Sequence, residues 1–448
     1  MADQILRDVQ AALAEPERGD VSSQIGPVSP IVWADVIARL ASYQRPVVLK
    51  QLPDDIIPDV MALLDAGLAA RIVQEQPASD AVSLLERMDP DDATDVLERL
   101  SADGAASLLD KMDDSTGALL RQLMTYPADT AGGRMTPRFV AITPDLRADQ
   151  AIARIRQAAR EAETTYYVYV VDEHGRLVGV LSLHELVVNA EADTPVRELM
   201  APSVISVQVD TDQEEAARLL IRENLLALPV VGADGRLAGI ITEDDVADVL
   251  EEEATEDIEK LGGSQPLEMP YRHASILLLF RKRIVWLLVL FVAEAYTGTV
   301  MRIFEDELAQ VVALAFFVPL LLGTGGNVGS QITTTLVRAM AVGEVALHDI
   351  GWVLAKEAGV GVVIGVVMAG VAFARAEVLG VGSDVAMVVA LSIAVISVWA
   401  SLVAAVLPLV LRRLRFDPTV VSAPFITTLV DGTGLVIYFM IAKILLDL

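Results

Sequence analysis

"PLLLGTGGNVGSQITTT", Pro319–Thr335, sets four glycines and an Asn-Ser-Gln-Thr series inside a stretch apolar enough to enter a membrane. Backbone polar groups cannot face lipid unpaired, so a polar or irregular segment at that depth is either buried in protein or lines a wet cavity. The surrounding sequence decides which. Five apolar spans flank or contain it, at about 284–301, 311–341, 351–374, 384–411 and 419–446. Each is long enough to cross a hydrocarbon core of ~30 Å. Arg281, Lys282 and Arg283 precede the first span, and Arg412, Arg413 and Arg415 follow the fourth. The positive-inside rule puts both clusters in the cytoplasm, and with them everything before the first span. The C-terminus is then expected outside. The opening residues MADQILRDVQ lack an apolar signal core, which agrees with a front half that is not exported.

Composition separates the two halves. Mean hydropathy is +0.49, yet 21% of the 448 residues are charged. Residues 1–272 carry 50 acidic and 23 basic side chains, whereas residues 273–448 carry 12 and 11. An acidic front is therefore joined to a nearly neutral membrane back. Such a front repels nucleic acid and invites cations. The chain has no cysteine, which excludes disulfides, thiolate metal sites and thiol nucleophiles. His174, His184, His273 and His348 are scattered, with no HExxH and no nucleophile elbow, so an enzyme is not expected.

The front holds two internal patterns. From Arg45 to Met124 units begin at 45, 57, 69, 81, 93, 105 and 117, with Val, Ile or Leu at the fourth position of each. Linkers such as "DPDD" at 89–92 separate them. Short helices of this kind bury a face only by stacking, which predicts a helical superhelix. A duplication follows. "MTPRFVAITPD" at 135 is echoed by "MAPSVISVQVD" at 200, and "VVDEHGRLVGVLSLHEL" at 170 by "VVGADGRLAGIITEDDV" at 230. Each copy reads strand, helix, strand, turn, strand, helix, with H-G and D-G as the hairpin turns. The acidic run "DDVADVLEEEATEDIEKLGG", 244–263, then leads to the membrane. Its like charges at i,i+4 oppose helix formation, and bound divalent cations would relieve that.

Asp431, in "FITTLVDGTG", lies about 18 Å along a helix counted from Thr419, near mid-membrane. An ionisable group there marks a functional site by default. Its nearest basic residue in the same span is Lys443, three turns away. Glu294 faces the bundle or snorkels, and a structural pairing is expected for Lys356 and Glu357. Ser330, Gln331 and Thr333 are further candidates for wetting a path, the two hydroxyls serving equally well in helix packing.

The duplicated module resembles a tandem pair of CBS domains. The resemblance implies adenine nucleotide (ATP or another), held through a Ser/Thr-x-x-Asp motif that Thr242 and Asp245 match; copy one has Ser182 and Glu185 there. With the repeat, "YPADTAGGRMT", "EEEATEDIEKLGG" and "PLLLGTGGNVGSQ", the whole chain resembles the MgtE magnesium transporters. That implies a multidomain fold: an all-α superhelical N-terminal domain (1–132), two α/β CBS domains (133–198 and 199–250), an acidic connecting "plug" helix (251–275) and a transmembrane domain of five α-helices (276–448). It implies a homodimer in the bacterial inner membrane, surrounded by lipid, passing Mg2+ between its subunits and binding no nucleic acid. Asp431 and Asn327 match the family's pore residues, with Gly325, Gly326, Thr427 and Thr428 as lining candidates. Asp91, Asp95, Asp212, Glu214, Asp245, Asp248, Glu253, Glu256 and Asp257 match acidic positions assigned to regulatory Mg2+. Asn224 stands where the family usually has an acid, which predicts a weaker site there. The expected mechanism is import of Mg2+, shut by cytosolic Mg2+ as negative feedback; the alternative is an ion-coupled secondary divalent-cation transporter.

Overall fold

A computed structural model describes residues 2–14, 28–159, 162–188, 191–267, 269, 271–414, 416–420 and 422–448; Arg415 lies outside them. The chain divides into two compact units, the first being essentially Met1–Glu253 and the second Ala254–Leu267 with Tyr271–Leu448.

The first unit begins with short helices: α1 (Ala2–Ala14), α2 (Pro30–Arg39), α3 (Arg45–Leu49), α4 (Ile57–Ala62), α5 (Ala66–Glu75), α6 (Ala78–Leu85), α7 (Pro90–Glu98), α8 (Ala102–Leu109) and α9 (Asp114–Leu123). From α5 onward the starts are twelve residues apart, as the repeat predicts. Asp65, Pro77, Asp89, Ser101 and Asp113 occupy the N-cap positions. Asp65, Ser101 and Asp113 accept backbone N–H groups of their own first turns, which would otherwise be orphaned. The "DPDD" stretch is therefore not a linker. Asp89 is the N-cap and Pro90 the first helical residue, where a missing N–H costs nothing. Asp91 and Asp92 lie in the first turn of α7. The fourth-position residues Val48, Val60, Ile72, Leu84, Val96 and Leu120 are buried in one continuous core.

The duplicated module forms two three-stranded sheets. β1 (Ala141–Ile142) runs parallel to β2 (Tyr167–Val171), which pairs antiparallel with β3 (Leu177–Ser182). β4 (Val207–Gln208), β5 (Ala227–Val231) and β6 (Leu237–Thr242) repeat that order and register, with the bulge at the same place. Gly175 and Gly235 carry the positive φ that the hairpin turns require. Around the sheets lie α10 (Ala148–Ala158), α11 (Leu183–Val188), α12 (Val196–Leu199) and α13 (Gln213–Arg222). Each copy's lead-in crosses to the other: Thr136 bridges Ile240 and Ala201 bridges Val180. A Cβ on Gly239 would lie 2.7 Å from Met135 Cγ, and one on Gly179 2.6 Å from Met200 Sδ. Those two glycines admit the methionines that interlock the copies.

One helix, α14 (Glu243–Leu261), contains both the last helix of copy two and the acidic run. Within the expected connector at 251–275, α14 runs on to Leu261 and a 3-10 turn stands at Tyr271–His273. The second unit continues with α15 (Ile276–Ile303), α16 (Glu305–Gln310), α17 (Val318–Ala341), α18 (Ile350–Leu379), α19 (Ser383–Arg413) and α20 (Ala423–Leu445). Among the described residues four helices are long and apolar enough to cross a membrane, at Val312–Ala341, Leu347–Leu379, Ser383–Arg413 and Ala423–Leu446. The first expected span lies in α15, a 28-residue helix outside those four that carries Arg281, Lys282, Arg283, Glu294 and Arg302.

α20 packs against α15, α17 and α19. Its Tyr438 hydroxyl donates to the Leu314 carbonyl at 3.0 Å, and Phe439 stacks on Phe304 at 4.9 Å between centroids. The span at Pro319–Thr335 is not broken: α17 is one continuous helix. Three of its four glycines are where α20 comes close. A Cβ would lie 2.8 Å from Val430 at Gly325, 2.7 Å from Thr427 at Gly326 and 2.5 Å from Ile426 at Gly329. Small residues let membrane helices approach in this way. No backbone carbonyl need be freed for it.

Candidate cation sites

The twelve-residue phase of the repeat carries Asp89, Asp91, Asp92, Asp95 and Glu98 on α7 and its cap. Asp245, Asp248 and Glu252 follow one face of α14, and Glu163 joins them from the loop before β2. These groups feel one another. Burial, then the charges of Asp245, Asp89, Asp95 and Glu163, push Asp92 up to about 8. Burial, then Asp89 and Asp245, push Glu163 up to about 7. Burial raises Asp245 to about 6 against the pull of its hydrogen bonds from Thr242. Asp91 is held well above the usual carboxylate range by burial, then by Asp245 and Asp92. Its Oδ1 is buried with no hydrogen-bond partner among the described residues. A carboxylate that is hard to ionise without a partner is one that a cation would relieve. Still, among the described residues no three acidic or histidine side chains converge as a ready-made metal site.

Two arginines temper the cluster. Arg134 reaches Asp95 at 3.1 Å and also pairs with Glu252, while Arg138 pairs with Asp89. Asp212 is placed differently from the cluster. It is the N-cap of α13, accepting the N–H groups of Glu214 at 2.9 Å and Glu215 at 3.3 Å. Glu214 pairs with Arg218, and Glu253 accepts from Gln213 at 2.5 Å. Thr242 is buried and its hydroxyl donates to Asp245 at 2.5 Å, so the nucleotide-motif pair is engaged within this acidic junction. In copy one Ser182 Oγ accepts the Glu185 N–H at 3.1 Å. Asn224 has φ 52 and closes α13: Leu225 N–H bonds Leu220 C=O and Asn224 N–H bonds Ile221 C=O. This left-handed cap explains why Asn is accepted there.

In the second unit the end of α14 is stitched to the start of α20. Lys260 pairs with Glu256 and, at 2.8 Å, with Asp417, five residues before the α20 cap Ser422. Asp417 is held below its usual range, burial being outweighed by Lys260 and by Thr419. Gly263 has φ 75 and a Cβ there would lie 2.8 Å from Trp286, whose Nε1 donates to Ser422 at 3.1 Å. Asp257, on the same helix, also has a partner.

Asp431 sits about 12 Å from the start of α20, because the helix begins at Ala423 and not at Thr419. Its Oδ1 is buried without a hydrogen-bond partner among the described residues. Glu294 on α15 is close enough for its charge to be felt, and Lys443 is taken by Glu307 at 2.9 Å. Thr427 and Thr428 are half-buried one turn earlier on α20, Thr427 donating to Ala423 O. Asn327 is exposed on α17, beside the seam that Gly325 and Gly326 pack. Gln331 is exposed too; Thr333 is fully buried, its hydroxyl without a partner among the described residues. Lys356 does not pair with Glu357 but lies over the Trp352 ring at 4.8 Å.

Sequence reasoning brought out Asp91, Asp95, Asp245 and Asp248, which the structure gathers, and missed Asp92, Glu163, Arg134 and the Lys260–Asp417 pair. The repeat phase would have pointed to Asp92, one residue from Asp91. Nothing local signals the others.

Comparison with known proteins places these features in context. Residues 318–441 match the family described as MgtE, divalent cation transporter; residues 28–129 match the MgtE intracellular N domain; residues 131–190 and 196–252 match the CBS domain. The magnesium transporter MgtE of Thermus thermophilus is 45% identical over 75% of this chain and 74% of its own length. That of Bacillus subtilis is 33% identical over 98% and 97%. The crystal structure of the cytosolic domain of the Mg2+ channel MgtE in complex with ATP superposes with a TM-score of 0.52 at 38% identity, covering 55% of this chain and 99% of that one. The soluble part of a magnesium transporter gives 0.51 at 29% identity, over 57% and 100%.

Proposed function

The chain belongs to the MgtE family of magnesium transporters, and on that premise we propose that it is a homodimeric Mg2+ channel of the bacterial inner membrane. In this reading it imports Mg2+ and is closed by cytosolic Mg2+. The acidic first unit faces the cytoplasm and the C-terminus the outside. The observation that carries the pore is the carboxylate oxygen of Asp431 on α20, buried without a hydrogen-bond partner among the described residues. Mg2+ dehydrates reluctantly and is best passed with its water attached. Two Asp431 side chains about a dimer axis would bond to that water, with Asn327, Thr427 and Thr428 beside them. A single carboxylate per subunit attracts the ion without caging it, so that it can leave.

Feedback rests on the first unit. Its donors are oxygens, which suit a hard cation, and the unpartnered Asp91 Oδ1 and the crowded Asp92 and Asp245 are the groups that would hold Mg2+. The ion would supply the positive charge that lets these carboxylates stay together. Glu253, Glu256, Asp257 and Asp248 on α14, with Asp212 and Glu214 on α13, are further candidates. Driving a gate from 1:99 to 99:1 takes about 5.5 kcal/mol, so about four ions are needed at ~1.4 kcal/mol each. α14 would transmit closure through Lys260 and Asp417 to the start of α20. Adenine nucleotide at the CBS pair belongs to the same reading; the ATP-bound relative supports it.

The test is Mg2+ entry into liposomes that hold an indicator dye, with no proton or sodium gradient. Entry should persist with the native chain and fall at least about tenfold with Asp431→Ala, a loss of ~1.4 kcal/mol. Entry only when a proton or sodium gradient is imposed would favour the coupled transporter.

A further inference from the structure

Arg134, in "AGGRMT", stands where α7, α13 and α14 meet. Its Nη1 donates to Asp95 Oδ2 on α7 at 3.1 Å, its Nε to Gln213 Oε1 on α13 at 2.8 Å, and its Nη2 to Glu252 on α14. Gln213 is itself buried and passes the contact on, its amide donating to Glu253 at 2.5 Å. The Arg134 side chain is only 15% exposed. The backbone that delivers it is fixed. Ala131 and Gly132 donate to Thr211 and Val209 at 2.7 and 2.8 Å, and a Cβ on Gly132 would lie 2.9 Å from the Val209 carbonyl. A guanidinium offers five donors in a rigid planar fork, which is what three acceptors in three directions require; an ammonium is a point charge on a flexible stem.

We propose that Arg134 is a tethered cation that holds α7 against α13 and α14 in place of part of the divalent charge, so that the acidic junction closes at lower Mg2+ than its carboxylates alone would allow. The proposal rests on the feedback reading above. A divalent ion must be recruited from solution, and its occupancy follows its concentration. A cation on the chain is present at every Mg2+ concentration and neutralises Asp95 and Glu252 without an association step. Arg134 therefore sets the baseline from which Mg2+ acts, as a positioning residue for the junction.

The chain has no cysteine, so spin labels can be placed on Ser79→Cys and Arg222→Cys, both exposed, in the full-length protein in detergent. The distance between them is followed as MgCl2 is raised at constant ionic strength. With Arg134→Met the short distance should be reached only at about tenfold higher Mg2+, equivalent to ~1.4 kcal/mol. Arg134→Lys, which keeps the charge and loses the fork, should fall between. An Arg134→Met curve that overlays the native one overturns the proposal. So does a variant that never reaches the short distance at saturating Mg2+, since the arginine would then be a plain structural tie. If the native distance ignores Mg2+, the feedback reading fails instead. The tether is then decided in EDTA, where lengthening in Arg134→Met upholds it and an unchanged distance rejects it.

Discussion

The two units handle negative charge in opposite ways. The first crowds Asp89, Asp91, Asp92, Asp95, Glu163, Asp245 and Asp248 together and tempers them with Arg134 and Arg138. The second places Asp431 on α20 with no hydrogen-bond partner for its buried oxygen among the described residues, and Lys443, three turns on, is taken by Glu307. Many neighbouring carboxylates hold a cation, whereas a site with few carboxylates attracts one and lets it go. On the proposed reading the first unit senses the ion and the second passes it. The difference also predicts what each is sensitive to: charge in the first, close packing in the second.

The largest effect is expected where packing rules. Gly329→Leu forces a side chain onto Ile426 and should lower the stability of the second unit by about 3 kcal/mol, read as thermal unfolding in detergent. Gly323→Ala, where a Cβ meets nothing within 4 Å, should be neutral or stabilising by up to ~1 kcal/mol. Equal losses at both positions would remove packing from the comparison. Next, Lys260→Ala should raise the Mg2+ needed for half-closure about fivefold, a change of ~1 kcal/mol, while leaving the open-state current intact; a loss of current with unchanged closure would place Lys260 in passage and not in transmission.

The pH dependence should be smaller. Asp92, Glu163 and Asp245 have folded pKa values raised to about 8, about 7 and about 6, so the folded junction binds more protons than the unfolded chain. Its stability should fall as pH rises from about 4 to 8, most steeply below about 6 where all three groups contribute. Mg2+ should flatten that fall, and Asp92→Asn should do so without Mg2+. Melting curves across this range, with and without EDTA, check it. The smallest effect belongs to Asn224. Asn224→Gly should be neutral, and Asn224→Val should cost about 1–2 kcal/mol, measured by denaturation, with closure by Mg2+ unchanged.

How far the sequence reached depended on how local each signal was. The twelve-residue phase and the duplicated strand–turn–strand pattern are local, and helices, register and even the matched bulges follow them. Phase alone misjudged "DPDD", because a proline among acids reads as a break when it is a helix start. The glycines at 323–329 suggested an interrupted span; Gly325, Gly326 and Gly329 proved to be the contact surface of an unbroken helix, since the α20 residues they admit are about a hundred positions away. Asp431 was legible because an acid in an apolar run stands out. Arg134 was not, as its partners lie 39, 79 and 118 residues from it.

The division of labour is tested most directly by current recordings in liposomes, taken across a range of Mg2+ on the side of the first unit, for the native chain, Asp431→Asn and Asp92→Asn. The account predicts that Asp431→Asn cuts the maximal current at least about tenfold with the half-closing Mg2+ unchanged, and that Asp92→Asn shifts the half-closing Mg2+ upward with the maximal current unchanged. If Asp431→Asn conducts like the native chain, or if both substitutions move both quantities together, passage and sensing are not separated as described.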